Sequence, residues 1–316
     1  MKVIVTGGSG FIGSHIADAL ADAGHEVTVF DLRASPYLRP DQKMALGSTL
    51  DLERVIEAVK GHDAVYHLAG IPHLDIGIRH PIKTVEQNIL GTVHLLEAAR
   101  LCGVKRFNYA SSIYVYSAGG SFYRCSKQAA ELYVQEYQRL YGLEFAILRF
   151  GTVYGPRADD HNSVRRYLKQ ALTERQIVAT GTTDVLREYI HVRDAAKLCV
   201  KILAEEFKNR HIVLTGHNAM RFEDLLKMIR EIVGLDVRID ITPPDRKQIE
   251  HGLSGHYAIT PYAFRPQIAE KLVNNPYLDM GQGLIECLEE IYTEAKSLAP
   301  DDPALGRPQP PAAPRG

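Results

Sequence analysis

A short apolar run, Val3-Ile4-Val5, passes directly into Thr6-Gly7-Gly8-Ser9-Gly10-Phe11-Ile12-Gly13. No other stretch constrains the fold as much. A buried strand must turn through glycine and enter a helix. Gly7 permits the tight turn, Gly10 lets the backbone approach a pyrophosphate, and Gly13 lets the helix pack close to the strand. Ile12, Ile16 and Leu20 share one helical face, and Gly24 is placed to end that helix. Dinucleotide phosphates would sit on the free N–H groups at the helix N-terminus. A second strand, Glu26 to Phe30, ends at Asp31. A carboxylate there can accept hydrogen bonds from both adenosine ribose hydroxyls and would repel the 2′-phosphate of NADP. The cofactor read from this pattern is therefore NAD, with Asp31 outweighing the neighbouring Arg33.

The first half alternates strand and helix patterns. Strands are expected at 2–6, 26–31, 64–68, 105–111 and 144–149, with a shorter one near 43–47. Helices are expected at 12–23, 51–60, 81–102 and 124–141. This order predicts an α/β fold, a Rossmann-type doubly wound parallel sheet with the cofactor at the carboxyl ends of its strands. After about residue 150 the pattern is less regular. Segments 163–174, 194–206 and 222–233 read as helices, and 177–179, 211–214 and 236–241 as short strands. The expected organisation is an NAD-binding Rossmann domain over 1–160, its sheet completed by segments up to about 215. A smaller, mainly substrate-binding region follows over 161–296, then a disordered Pro/Ala-rich tail over 297–316.

Composition excludes several function classes. In 316 residues, 45% are hydrophobic and 24% charged, and the net charge is −1. That balance suits a soluble globular protein and provides no global field for nucleic acid or an acidic membrane surface. No apolar run approaches the roughly 20 residues that span a bilayer, and the chain enters a strand at once, leaving no room for a signal peptide. Cys102, Cys125, Cys199 and Cys287 are scattered, without metal-ligand or disulfide spacing. A cytoplasmic setting and no metal are expected.

Tyr123 and Lys127 lie four apart at the start of a predicted helix, so they share a face. A phenol with a reference pKa of about 10 is a poor base near neutrality, and a lysine ammonium beside it would lower that value. Ser111-Ser112 ends the preceding apolar strand at its carboxyl edge. A serine hydroxyl there could hold a substrate oxygen while a proton leaves to Tyr123 and hydride passes to a nicotinamide. His67 and His191 read as packed strand residues, His73 and His80 as exposed loop histidines, and Cys125 as a small residue turned away from Tyr123.

With these residues in place, the chain resembles the extended short-chain dehydrogenase/reductase family, in its NAD-dependent epimerase/dehydratase branch, over about residues 1–290. The resemblance is carried by the glycine turn, Val65-Tyr66-His67-Leu68-Ala69-Gly70, Asn88 with Gly91-Thr92, Ser111-Ser112, Val115-Tyr116 and Tyr123/Lys127. Leu148-Arg149-Phe150, Val153-Tyr154-Gly155-Pro156-Arg157 and Arg187-Glu188-Tyr189-Ile190-His191-Val192-Arg193-Asp194 complete it. It implies that Ser112, Tyr123 and Lys127 are catalytic. Cofactor contacts would come from Gly7, Gly10, Phe11, Ile12, Gly13, Asp31, Leu68, Ala69, Asn88, Tyr123 and Lys127. Asn88 would also help hold the central helix. The substrate would be a nucleotide-diphosphate sugar, met by Ser112, Tyr114, Thr152 and Arg187, the last at its diphosphate. Relatives often pair as homodimers through the two helices represented here by 81–102 and 124–141.

Four departures shape the functional reading. Dehydratases of this branch usually carry an Asp-Glu pair after the catalytic Ser or Thr, where this chain has Ile113 and Tyr114. An epimerase needs no such acid. The interval from Ser112 to Tyr123 is also about half that of the usual sugar epimerases, which implies a more open or differently shaped pocket. Thr152 stands where many relatives have asparagine, and Ser48 where many have an acid near the adenine. The resulting expectation is an NAD-dependent nucleotide-sugar epimerase, most simply a 4-epimerase. A dehydrogenase, ketoreductase or atypical dehydratase is the alternative, and a non-catalytic NAD sensor the remote one.

Overall fold

A computed structural model describes residues 1–117, 119–183, 185–244 and 268–298. Its centre is an eight-stranded sheet. The strands are β1 (Lys2–Thr6), β2 (Glu26–Asp31), β3 (Gln42–Leu46), β4 (Ala64–His67), β5 (Arg106–Ser112), β6 (Glu144–Phe150), β10 (Arg210–Leu214) and β13 (Glu270–Leu272). Their spatial order is β13-β10-β6-β5-β4-β1-β2-β3, and every pairing is parallel. After β1 the chain runs outward through β2 and β3, then crosses to β4 on the other side. A ligand crevice therefore opens at the carboxyl ends of β1 and β4.

The apolar alternation of β1 shows why helices cover both faces. Val3 and Val5 belong to one core with Ile16 and Leu20 of α1 (Phe11–Asp22) and Leu198 of α8 (Val192–Lys201). Ile4, between them, belongs to the opposite core. There it joins Val55 of α2 (Leu52–Val59), Leu95 and Leu96 of α5 (Gly91–Leu101) and Val134 of α6 (Ser121–Tyr141). A strand buried on both faces is apolar on successive residues, as Val3-Ile4-Val5 is here.

Smaller sheets form from the remaining strands. β7 (Thr152–Tyr154), β9 (Leu186–His191) and β11 (Ala219–Arg221) make one, and β8 (Gln176–Thr180) pairs with β12 (Arg238–Thr242) in another. Around them α7 (Ser163–Glu174), α9 (Phe222–Val233) and α10 (Met280–Leu298) enclose a third core containing Leu168, Leu226 and Leu284.

Several boundaries differ from the sequence reading. The expected helix 81–102 is three pieces: α4 (Pro81–Val85), a π-helical turn (Glu86–Leu90) and α5. The wide turn directs Asn88 inward to bond Ile71, and Gly91 follows where a Cβ would lie 2.7 Å from Thr49 Oγ1. The short helix α3 (Leu74–Arg79), β7, β11, β13 and α10 were not anticipated, and the main sheet takes its outermost strand from residues 270–272. Helix α10 includes Ser297 and Leu298, which were expected in the tail because Pro and Ala dominate the residues after them. The rest of that expected tail, 299–316, lies outside the described residues.

Candidate active site

The glycine turn is built as its spacing requires. Gly7 has φ +72°, and a Cβ there would lie 2.7 Å from Ala69 N. A Cβ on Gly13 would drive into the Gly7 carbonyl and come within 2.9 Å of Gly8 Cα. Gly10 caps α1 without a side-chain hydrogen bond, leaving the first helical N–H groups to a ligand. Asp31, at the end of β2, accepts from Ser9 N at 3.0 Å, which holds its carboxylate beside the turn.

From Asp31 a cavity of about 820 Å³ runs to the ends of β4, β5 and β6. Its walls include Gly7, Gly10, Phe11, Ile12, Gly13, Asp31, Leu68 and Ala69, and then Ser112, Tyr114, Tyr123, Lys127 and Thr152. Thus a single cavity joins the expected cofactor residues to the expected catalytic ones. The bare glycine cradle, the uncapped helix terminus and the Asp31 carboxylate fit a dinucleotide with free ribose hydroxyls.

At the inner end, Ser112 closes β5 and its Oγ accepts from Tyr114 N at 3.3 Å. Gly120, with φ +93°, starts α6, and one turn later Tyr123 meets Ser112 through their hydroxyls. Lys127 follows on the same face. Its Nζ donates to Ala110 O at 2.7 Å and lies 4.9 Å from the ring centroid of Tyr109 and 5.7 Å from that of Tyr123. Burial pulls the Lys127 ammonium down to about 8, against the pull of the Glu131 carboxylate. Burial also pushes the Tyr123 phenol up to about 12, only partly offset by Ser112. The expected lowering of Tyr123 by Lys127 is not found here, and the only lowering influence is Ser112. The ammonium is directed at a backbone carbonyl, and desolvation dominates.

Two expected contact residues do not line the cavity. Asn88 stands behind the wall. Its Oδ1 accepts from Ile71 N at 2.7 Å, and its Nδ2 donates to Ile71 O and Ser126 Oγ. It braces the loop after β4 against α6. Arg187 lies over the Phe222 ring at 5.3 Å, with its Nε buried and lacking a hydrogen-bond partner, and its charge reaches Tyr114. Tyr114 does face the cavity, although Ile113–Tyr116 form a 3₁₀ turn rather than an extended end. Its ring stands edge-on to Tyr123 at 6.2 Å, and burial raises its phenol well above the ordinary value, so it stays protonated.

Of the far wall, Asp159 and His161 were not foreseen, and the sequence reading has His73 as an exposed loop histidine flanking the pocket helix. His73, from the loop after β4, stacks on His161 with ring centroids 4.1 Å apart, and its Nε2 lies 3.5 Å from Asp159. All three line the cavity. His73 is visible in the sequence only as a loop histidine, and nothing local marks Asp159 or His161. His67 is structural, set between Thr6 Oγ1 at 2.7 Å and Thr92 Oγ1 at 3.0 Å and held neutral by burial at about 3. His191 caps α8 and is likewise pulled down to about 3 by burial.

Such a sheet, with this cavity, defines the dinucleotide-dependent class of α/β enzymes. Residues 3–215 match the model of the NAD dependent epimerase/dehydratase family, and the chain belongs to that family; its cofactor is NAD. It is 26% identical to a dTDP-glucose 4,6-dehydratase of Streptomyces niveus, over 92% of both chains. It is 27% identical to a UDP-N-acetyl-alpha-D-glucosaminuronate decarboxylase of Bacillus cytotoxicus, over 79% of this chain and 86% of that one. The structure of UDP-glucose 4-epimerase from Thermus thermophilus, a complex with NAD, aligns with a TM-score of 0.75 at 25% identity. That alignment covers 92% of this chain and 99% of the epimerase. Among the described residues, no helix is long and apolar enough to cross a membrane.

Proposed function

We propose that the protein is an NAD-dependent nucleotide-diphosphate-sugar 4-epimerase. One observation carries the reading: the paired Ser112 and Tyr123 hydroxyls end a cavity that begins at Asp31, and the two residues after Ser112 are Ile113 and Tyr114. Neither can act as the carboxylic acid that a dehydratase of this branch uses there. Bound NAD, held at Asp31, the glycine turn and Lys127, supplies a reversible hydride acceptor.

The remaining chemistry belongs to the chain. Ser112 holds the sugar hydroxyl oxygen, and Tyr123 takes its proton. A phenol at about 12 releases its own proton only with positive charge nearby, and the Lys127 ammonium provides such a charge. Once the keto sugar presents its other face, Tyr123 returns the proton. Tyr114, protonated throughout, and Thr152 contact the sugar. Arg187, set behind the cavity wall over Phe222, reaches a diphosphate only if its side chain swings out, so its role as the diphosphate ligand rests on the family pattern. Asn88 acts through the wall it braces.

Outer apolar side chains on α5 and α6, among them Leu101, Leu132, Tyr133 and Leu140, support pairing of two copies through these helices. Light scattering at twice the chain mass checks that assembly. Four free thiols fit a reducing, cytoplasmic setting.

The deciding experiment offers UDP-sugars to the purified protein and follows C4 inversion by NMR and NADH by absorbance. Inversion without net NADH supports the proposal. NADH accumulating in step with product replaces it with a dehydrogenase. In Tyr123→Phe, kcat should fall by roughly 10²–10⁴-fold while bound NAD is retained.

A further inference from the structure

We propose that Glu131 is a positioning residue for the Tyr123–Lys127 pair, both as the brace that seats α6 against the sheet and as the counter-charge that keeps Lys127 an ammonium. The proposal rests on the reading that Tyr123 and Lys127 do the chemistry.

Glu131 lies one turn beyond Lys127 on α6 and is only 2% exposed. Its Oε1 accepts from Ser111 Oγ at 2.6 Å and from Arg149 Nε at 3.0 Å, and its Oε2 accepts from the terminal nitrogen of Arg149 at 2.7 Å. Ser111 precedes Ser112 on β5, and Arg149, fully buried, belongs to β6. One carboxylate therefore ties the catalytic helix to two adjacent strands, a single residue from the hydroxyl that Tyr123 must meet. Arg149 is held in turn by Tyr116 and by His211 Nδ1.

The second role comes from the surroundings of Lys127. Tyr109 faces it from β5 and Tyr123 from its own helix, and its charge also reaches His67 on β4, which is neutral at about 3. None of these supplies a negative charge near neutrality. Glu131 does, buried one turn along the same helix; although Arg149 offsets part of its charge, it opposes the burial that pulls Lys127 down. Without that charge the ammonium would be lost at lower pH.

The test uses NAD-loaded protein and two variants. The pH titration of Lys127 is read from its ¹³Cε NMR signal, assigned by its loss in Lys127→Arg. Wild type should titrate near pH 8, and Glu131→Gln roughly one pH unit lower. Coincident midpoints overturn the counter-charge role. Glu131→Asp keeps the charge but draws it back from Ser111 and Arg149. Its midpoint should stay with wild type while kcat falls severalfold at unchanged KM. A wild-type kcat in Glu131→Asp overturns the brace. Should Glu131→Gln fail to fold with Arg149 left unpaired, Glu131→Gln/Arg149→Gln replaces it in the titration, and the aspartate variant still decides the brace by that same kcat criterion. The titration needs no substrate, so failure of the epimerase reading leaves its outcome intact.

Discussion

The Lys127 ammonium donates to Ala110 O at 2.7 Å, while its nitrogen stays 5.7 Å from the Tyr123 ring centroid. The lysine is thus anchored by the strand that carries Ser112, one helical turn from Tyr123 on the same helix. Its anchoring is costly in this pocket. A lysine lowered from 10.5 to about 8 binds fewer protons in the folded chain than in the unfolded one between those values. Stability from this group therefore rises with pH through that window, and below pH 8 the full cost remains, on the order of 3 kcal/mol. Lys127→Met should abolish turnover yet stabilise the fold at pH 7. The net gain is about 1–2 kcal/mol, because the Ala110 carbonyl loses its donor. Urea unfolding at pH 7 and pH 10.5 checks this, and the advantage over wild type should vanish at the higher pH.

Gly13 offers a test of the turn without touching the catalytic end. Its Cβ would meet the Gly7 carbonyl and the Gly8 backbone, neither of which is a flexible side-chain tip. Gly13→Ala should destabilise the protein by roughly 1–3 kcal/mol and remove NAD binding, because the turn must open to admit the methyl group. Calorimetric NAD titration and thermal unfolding check it. Gly24→Ala serves as a contrast. It has the same left-handed conformation as Gly7 (φ +80°), but a Cβ there meets nothing within 4 Å, so NAD binding should persist.

The part of the site visible in the sequence is the part made by local pattern. Val3, Ile4 and Val5 announce a strand buried on both faces, the glycines announce its exit, and the four-residue spacing puts Tyr123 and Lys127 together wherever α6 packs. The unseen part depends on contacts between distant segments. Asp159 and His161 reach the cavity because the preceding loop is held by His15 Nε2 at Pro156 O and by Glu290 at Arg157 N. No window of sequence contains those pairs. The π-helical turn at Asn88 was hidden for the same reason, since it is stabilised by Ile71 and Ser126 rather than by its neighbours in the helix. For Tyr123 the residue was legible, but the sign of its pKa shift was not. That sign depends on burial, which the motif does not encode.

Asp31 should set cofactor choice. Its carboxylate is held by Ser9 N, at the cavity end where the adenosine ribose would lie. Asp31→Ser removes the charge that repels a 2′-phosphate while keeping a small polar side chain. NAD affinity should fall roughly tenfold, about 1.4 kcal/mol, and NADP affinity should rise. Paired titrations of wild type and variant with both dinucleotides check the prediction; unchanged discrimination would remove Asp31 from the adenosine end.

The stacked rings of His73 and His161 join the loop after β4 to the loop before α7 across the cavity that holds the cofactor residues. Asp159 adds a charged partner whenever His73 is protonated, but burial lowers His73, so near neutrality His73 contributes to the stack mainly as a neutral ring. Breaking it should loosen one wall from the other. His161→Ala should release bound NAD severalfold faster than wild type, with melting temperature nearly unchanged because His161 is exposed. Dilution-jump release followed by cofactor fluorescence measures the rate. His161→Phe keeps a flat ring in place and should restore slow release. If alanine and phenylalanine variants both release NAD at the wild-type rate, the stack does not restrain the cavity; if only the alanine variant is fast, ring contact rather than imidazole charge holds the two walls together.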